Sequence, residues 1–282
     1  MIFGVPAAVI ASVILILSYA VLFSEKLNRA VAVMLGAAAM VLLGVLSYDQ
    51  ALKGIDFNTI ALLIGMMIMV GIMEKSGAFQ YAAVKSAKLV KANPRGILAV
   101  LGVVTAVLSA FLDNVTTVLL IVPVTIEITR KLKLNPYPFL LMEIFSSNIG
   151  GTATLIGDPP NILIGSALEL SFTDFLFHLT PVVLTIMAAV VGMFVYFWKD
   201  SLTTSLKSRA LVMNINEKDA ITDFKLLKKA LWVLGMVMAA FVVAHDIGFE
   251  NGFIALAGAA VMLLLYTMGL PHTQLSLIHI SE

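Results

Sequence analysis

Long apolar runs separated by short charged loops set the pattern of this chain. A membrane-spanning helix needs about 20 mostly apolar residues. Six runs have that form: 5–23, 30–47, 57–74, 178–198, 229–246 and 252–269. Two further apolar regions are interrupted. Region 96–131 carries the polar cluster DNVTT at its centre, and region 137–168 is broken by SSNIGGTATLIGDPPN, Ser146 to Asn161. Between 77 and 92, Lys85, Lys88 and Lys91 fall at i, i+3 and i+6. That spacing predicts an amphipathic helix lying on a membrane surface. The whole pattern predicts an all-α polytopic membrane protein with a re-entrant hairpin (96–131) and a discontinuous helix (137–168).

Composition agrees. The 282 residues are 60% hydrophobic and 12% charged, with mean hydropathy +1.02, whereas a soluble domain carries about 25% charged residues. A net charge of +1 gives no footprint for nucleic acid. The absence of cysteine excludes disulfides, thiolate metal sites and cysteine nucleophiles. No Walker A, GxGxxG or HExxH spacing occurs, and no cofactor is expected. His178, His245, His272 and His279 are scattered and read as interface or loop residues. Residues 1–23 lack a basic n-region, and their apolar run is too long for a signal peptide, so they read as the first span. LSLIHISE, Leu275 to Glu282, resembles a translated sequencing adapter. Residues 272–282 are therefore expected to be a non-native tail, and the chain a fragment.

Charge now orders the spans. If 96–131 dips in and returns while 137–168 crosses once, 17 of the 18 basic residues fall on one side. The other side holds only Lys53, with Asp49, Asp56, Glu169, Asp174, Asp246 and Glu250. The positive-inside rule then makes the basic loops cytoplasmic and the N-terminus external, in a cell membrane.

GAAAMVLL, Gly36 to Leu43, matches GAAVMLLL, Gly258 to Leu265, at six of eight positions with an offset of 222. The same offset lays span 5–23 over 227–245. The first unit, 1–228, contains five crossings plus the hairpin, and 229–271 begins a truncated second unit. An odd number of crossings starts the second unit on the opposite side, so the repeats are expected to be inverted. Inverted repeats with broken helices near the midplane are the architecture of many secondary transporters.

The two polar clusters carry the candidate chemistry. Non-helical backbone at membrane depth persists only where protein or a water-filled cavity satisfies it. In SAFLDNVTTVLLIVP, Ser109 to Pro123, an intramembrane Asp113 is a functional candidate for a proton or sodium; the plainer reading makes it the cap of the second arm. Asn114 sits beside it, and Thr116 and Thr117 either offer ligands or bond back to helix carbonyls. In the second cluster, Gly150 and Gly151 open the backbone, and Thr152 and Thr154 add hydroxyls. Asp158-Pro159-Pro160 reads as a helix restart with Asp158 as N-cap or ligand. Asn148 and Asn161 either pin the loop or face the cargo. Glu143 either snorkels or joins a proton path.

At these clusters the chain resembles the ion transporter superfamily, above all the arsenite permease, NhaD-type sodium/proton antiporter and melanocyte P-protein group with its citrate-transporter-like domain. The resemblance is carried by FLDNVTTVLLIVP, EIFSSNIGGTATLIGDPPNILIGSA and LSFTDFL. It implies two re-entrant hairpins, inverted repeats, a homodimer and elevator-like movement of a transport domain. In the related sodium/dicarboxylate symporters a Ser-Asn-Thr signature at the hairpin tip binds sodium and substrate. Aligned on the shared Asn, Asp113 replaces the Ser, Asn114 is retained and Val115 replaces the Thr. Ser109 matches a further serine near the sodium site, and Gly150 and Gly151 match the unwound segment that completes it. The resemblance thus implies a sodium site at Ser109, Asp113, Asn114, Gly150 and Gly151. The departures disfavour a dicarboxylate. They favour proton or sodium exchange, or a metalloid such as arsenite or antimonite. The second half-site is expected about 222 residues beyond Asp113, past the end of the chain.

Two rival classes share some of these features. An intramembrane aspartyl protease would use Asp113 and Asp158, but its GxGD signature is absent: the run is Leu155-Ile156-Gly157-Asp158. A passive channel would have similar loops and a flux independent of any ion gradient.

Overall fold

The computed structural model describes residues 5–268, and its regular elements are helices. The expected tail 272–282, with His272 and His279, lies outside the described residues, as does the side chain of His245. The chain divides into two compact units, 1–56 and 57–282.

The first unit holds α1 (Ala7–Phe23), α2 (Arg29–Leu42) and the short α3 (Tyr48–Lys53). α1 and α2 pack on each other. A Cβ on Gly36 would lie 2.4 Å from Ser18 Oγ, so the small residue sets their separation. The predicted span 30–47 stops early, at Leu42, because Gly44 turns the chain at φ +72°. Ser47 and Gln50 then close a capping box that starts α3. Sequence periodicity does not reveal this one-and-a-half-turn helix.

The second unit runs α4 (Phe57–Lys75), α5 (Ala78–Leu89), α6 (Pro94–Ser109), α7 (Asn114–Leu132), α8 (Tyr137–Gly151), α9 (Pro159–Ala167) and α10 (Phe172–Phe197). A loop with α11 (Leu206–Met213) and a 3-10 turn (Glu217–Ala220) leads to α12 (Phe224–Ile247) and α13 (Asn251–Thr267). Among the described residues, α1, α4, α10 and α12 are long and apolar enough to cross a membrane. α10 begins at Phe172, earlier than the apolar run suggests, because Ser171 and Asp174 form a capping box. Large apolar side chains line its outside: Phe177 is 73% exposed and Phe197 67%. That surface suits lipid.

One finding differs in kind from the sequence reading. α5 does not lie free on a surface. Phe79, Ala83, Val84 and Ala87 are buried, and the helix packs on α6 and α7. Of its two lysines, Lys85 faces outward, while Lys88 is half-buried and turns to residues 215–217.

Hydrogen bonds show which helix ends share one end of this unit. Lys88 Nζ bonds Glu217 and, at 3.1 Å, the carbonyl of Ile215. Arg95 bonds Lys199 O at 3.1 Å, Thr204 bonds Leu132 O at 2.6 Å, and Arg209 bonds Lys91 O at 2.8 Å. Lys75 reaches Tyr266 Oη at 3.3 Å. The end of α4, the start of α6 and the ends of α7, α10 and α13 therefore gather at one basic end. At the far end Gly252 N bonds Asn58 Oδ1 at 2.7 Å, joining the starts of α4 and α13. α6 leaves the basic end and α7 returns to it, so the two form a helical hairpin. α8 and α9 together lead away, and α10 comes back.

Candidate ion site at the hairpin tip

The turn between α6 and α7 is shorter than DNVTT suggests. Helix α6 ends at Ser109 and α7 begins at Asn114, so Thr116 and Thr117 lie within α7. Asp113 is the N-cap: its Oδ1 accepts from Thr116 N at 2.9 Å. Thr117 bonds back to Asp113 O at 2.9 Å. For both residues the plainer reading describes the geometry.

Asn114 reaches across to the broken helix. Its Nδ2 lies 3.3 Å from Asp158 Oδ2 and 3.4 Å from Asn148 Oδ1. Its Oδ1 lies 2.8 Å from Ser109 Oγ, which also stands 2.7 Å from Ser147 O. One hydroxyl proton serves one acceptor at a time. Asn114 Oδ1 and Ser147 O therefore compete for the one proton on Ser109 Oγ. Such an oxygen-rich point suits a small hard cation.

The break itself runs from Thr152 to Asp158. Asp158 stands at the N-cap position of α9 but makes no side-chain capping bond. Pro159 at the first turn has no N–H to satisfy, and the Asp158 carboxylate faces Asn114 instead. Asp113 thus caps its own helix, while Asp158 turns to the other cluster. Asn161 ties the loop by donating to Thr154 O at 2.9 Å and Gly151 O at 3.2 Å. Thr154 donates to Ala110 O, a second tie to the hairpin. Thr152 bonds Ile149 O, at 2.7 Å, and is exposed.

Glycines make this approach possible. A Cβ on Gly150 would sit 2.0 Å from Ala106 O, and one on Gly151 would sit 2.2 Å from Asn114 Oδ1. A Cβ on Gly157 would meet Gly151 O at 2.5 Å and Ser109 O at 2.8 Å. No side chain fits at any of the three.

The site lies deep. Thr180 Oγ1 stands 3.4 Å from Ala153 O, which fixes the break beside α10. At 1.5 Å per residue, Thr180 is roughly 25 Å along α10 from the basic end and about 12 Å from the far end. A cavity of about 180 Å³ leads to the tip along α4. Val70, Gly71 and Glu74 line it on one side, with Asp113, Thr116 and Pro159 on the other. The sequence does not single out Glu74, because it ends an apolar span beside Lys75 and reads as a boundary residue. Among the described residues no cluster of three His, Cys, Asp or Glu forms a metal site.

The citrate transporter family model (CitMHS) matches residues 19–273. The chain belongs to this family. It is 40% identical to an uncharacterized transporter of Mycobacterium tuberculosis over 92% of this chain and 61% of that protein. It is 38% identical to the 46 kDa membrane protein of Mycobacterium leprae over the same shares. To the human P protein it is 44% identical over 180 residues, 60% of this chain and 22% of that one. The chain thus spans about 61% of the length of the mycobacterial relatives. The family match covers both polar clusters and most of the chain around them.

Proposed function

We propose that this chain is part of a secondary active transporter that moves a small inorganic ion or metalloid across the cell membrane, linked to sodium or protons. The observation that carries this reading is Asn114, a hairpin-tip side chain that touches both Asn148 and Asp158 of a helix broken at depth. Irregular backbone of this kind, buried in protein, is how transporters build ion sites. The cargo or coupling ion takes its ligands from Ser109, Asn114, Asp158 and the carbonyls around Gly150 and Gly151. Glu74 and Asp113 make the approach acidic, which favours a cation and repels a dicarboxylate. Arsenite or antimonite efflux and sodium/proton exchange are the two leading forms. An organic anion such as citrate is the second reading, favoured by the family match.

Glu74, near the basic end of α4, lines the cavity, and we read that end as cytoplasmic by its charge. The protein is then multi-pass with its N-terminus outside, and it acts as a homodimer. The paired helices α1–α2 and α12–α13 support two inverted repeats. Each pair is spaced by a glycine at matched positions, since a Cβ on Gly258 would meet Val237 Cγ2 at 2.3 Å, as one on Gly36 meets Ser18.

The test is flux by the full-length protein in vesicles, with labelled sodium, arsenite and citrate offered separately under imposed sodium or proton gradients. Gradient-driven flux of sodium or arsenite supports the reading. Flux of citrate alone moves it to the second reading, and flux indifferent to every gradient makes the protein a channel.

A further inference from the structure

Glu143 lies on α8 two turns before the break, fully buried. One carboxyl oxygen, Oε1, accepts from the hydroxyl of Thr125 on α7. The other, Oε2, is buried without a partner. One turn nearer the break on the same helix, Ser146 Oγ is also buried without a partner. Two orphaned polar atoms a single turn apart, inside a helix pack, are unusual, since buried polar groups are nearly always bonded.

Charge makes the carboxyl stand out further. The helices packed on α8 are α6, α7 and α10. Their charged and titratable groups are Arg95 on α6; Glu127, Arg130 and Lys131 on α7; and Asp174, His178 and the exposed Tyr196 on α10. Tyr137 starts α8 itself. Arg95 bonds Lys199 O, Lys131 pairs with Glu127 at 3.2 Å, and Asp174 bonds Ser171. His178 bonds Asp174 O, while Arg130 and Tyr137 are exposed. None of them bonds Glu143. An ionised carboxylate buried without a cation costs several kcal/mol or more, and a proton is the smallest ion that removes that cost.

We propose that Glu143 is a proton-binding site, separate from the ion site at the break and exchanging its proton through the hydroxyls above it. Loading forms one O–H bond at Oε2 with a proton from bulk water. Unloading returns that proton to water, and no other bond changes. Ser146 faces α6, since a Cβ on Gly102 would lie 3.0 Å from its Oγ. Beyond Gly102 on α6 come Thr105 and Ser109, both fully buried, and Ser109 belongs to the ion site. Glu143, Ser146, Thr105 and Ser109 thus form a buried polar series between the basic end and the break. This proposal rests on the transport reading for its purpose, because a proton site coupled to nothing would have none.

Infrared difference spectroscopy of the full-length protein across a pH titration reads the carboxyl directly, whether or not the protein transports. The expected result is a protonated-carboxyl C=O band that is present at neutral pH and lost in Glu143→Gln, which mimics the neutral acid. Thr125→Val removes the bond to Oε1 without changing shape, and it should shift the same band even where the glutamine variant fails to fold. An unchanged band in either variant overturns the proposal. In vesicles, Glu143→Gln should lower proton movement coupled to sodium-22 flux at least tenfold while sodium–sodium exchange persists. Coupled flux equal to the native protein's also overturns it. A native protein that moves no sodium, arsenite or citrate while its band still titrates would sink the transport reading and leave the proton site standing.

Discussion

Asn114 and Asp158, 44 residues apart in sequence, meet at 3.3 Å where the hairpin tip touches the broken helix. This contact is the hinge of the candidate site. It joins an amide with both donor and acceptor atoms to a carboxylate released from capping. Asn114→Ala should leave Ser109, Asn148 and Asp158 short of partners at a cost of about 1–3 kcal/mol. Thermal unfolding in detergent checks this. The native protein should also melt higher in sodium chloride than in choline chloride, and the variant should lose that difference. Equal sodium stabilisation in both would remove Asn114 from the ion site.

Asp113 separates two roles. Asn caps a helix about as well as Asp, so Asp113→Asn should keep the bond to Thr116 N and the melting temperature. Asp113→Ala should cost about 1 kcal/mol. If Asp113 also handles the ion, vesicles carrying the Asp113→Asn protein will lose coupled flux despite normal stability. Unchanged flux would confine Asp113 to capping.

The glycine contacts predict a steep size limit. Gly150→Ala, Gly151→Ala and Gly157→Ala each drive a Cβ into backbone or Asn114, and each should destabilise by about 1–3 kcal/mol or more. Gly192 meets nothing within 4 Å, so Gly192→Ala should be neutral or slightly stabilising. Melting curves of the four variants decide it, and a Gly157→Ala protein as stable as native would contradict the packing.

Lys88 and Glu217 predict a response to acid. The Lys88 bond holds the Glu217 carboxyl below its usual 4.5. A carboxylate with a lowered folded-state value contributes stability above its unfolded value and loses it as pH falls through the folded one. Residues 214–223 should therefore stay docked on α5 at neutral pH and loosen below pH 4.5. Glu217→Gln should loosen them at neutral pH. Amide hydrogen exchange over that segment reads both effects.

Sidedness can be labelled. Leu206, 80% exposed at the basic end, and Leu168, 65% exposed beyond α9, are better probes than Ser171, which is buried in its capping box. A cysteine at 168 should react with an impermeant maleimide added outside, and one at 206 should be shielded. The opposite pattern would invert the orientation.

Most of the apolar helices, the turn between α6 and α7, the break and the two polar clusters are legible in the amino-acid order. Each rests on a local signal: hydropathy needs only about 20 consecutive residues, and glycine, proline and capping residues mark ends within a turn. Within the second unit, the helix ends joined at the basic end are those beside its basic loops. Which aspartate caps and which faces the partner cluster emerged only in three dimensions. That choice depends on whether a carboxylate finds an N–H of its own helix or an amide 44 residues away. Packing likewise placed α5 against protein, put Glu74 beside a cavity, and enclosed Glu143 with one oxygen unpartnered. Burial and pairing are properties of neighbours brought together from distant parts of the chain, and no local pattern carries them.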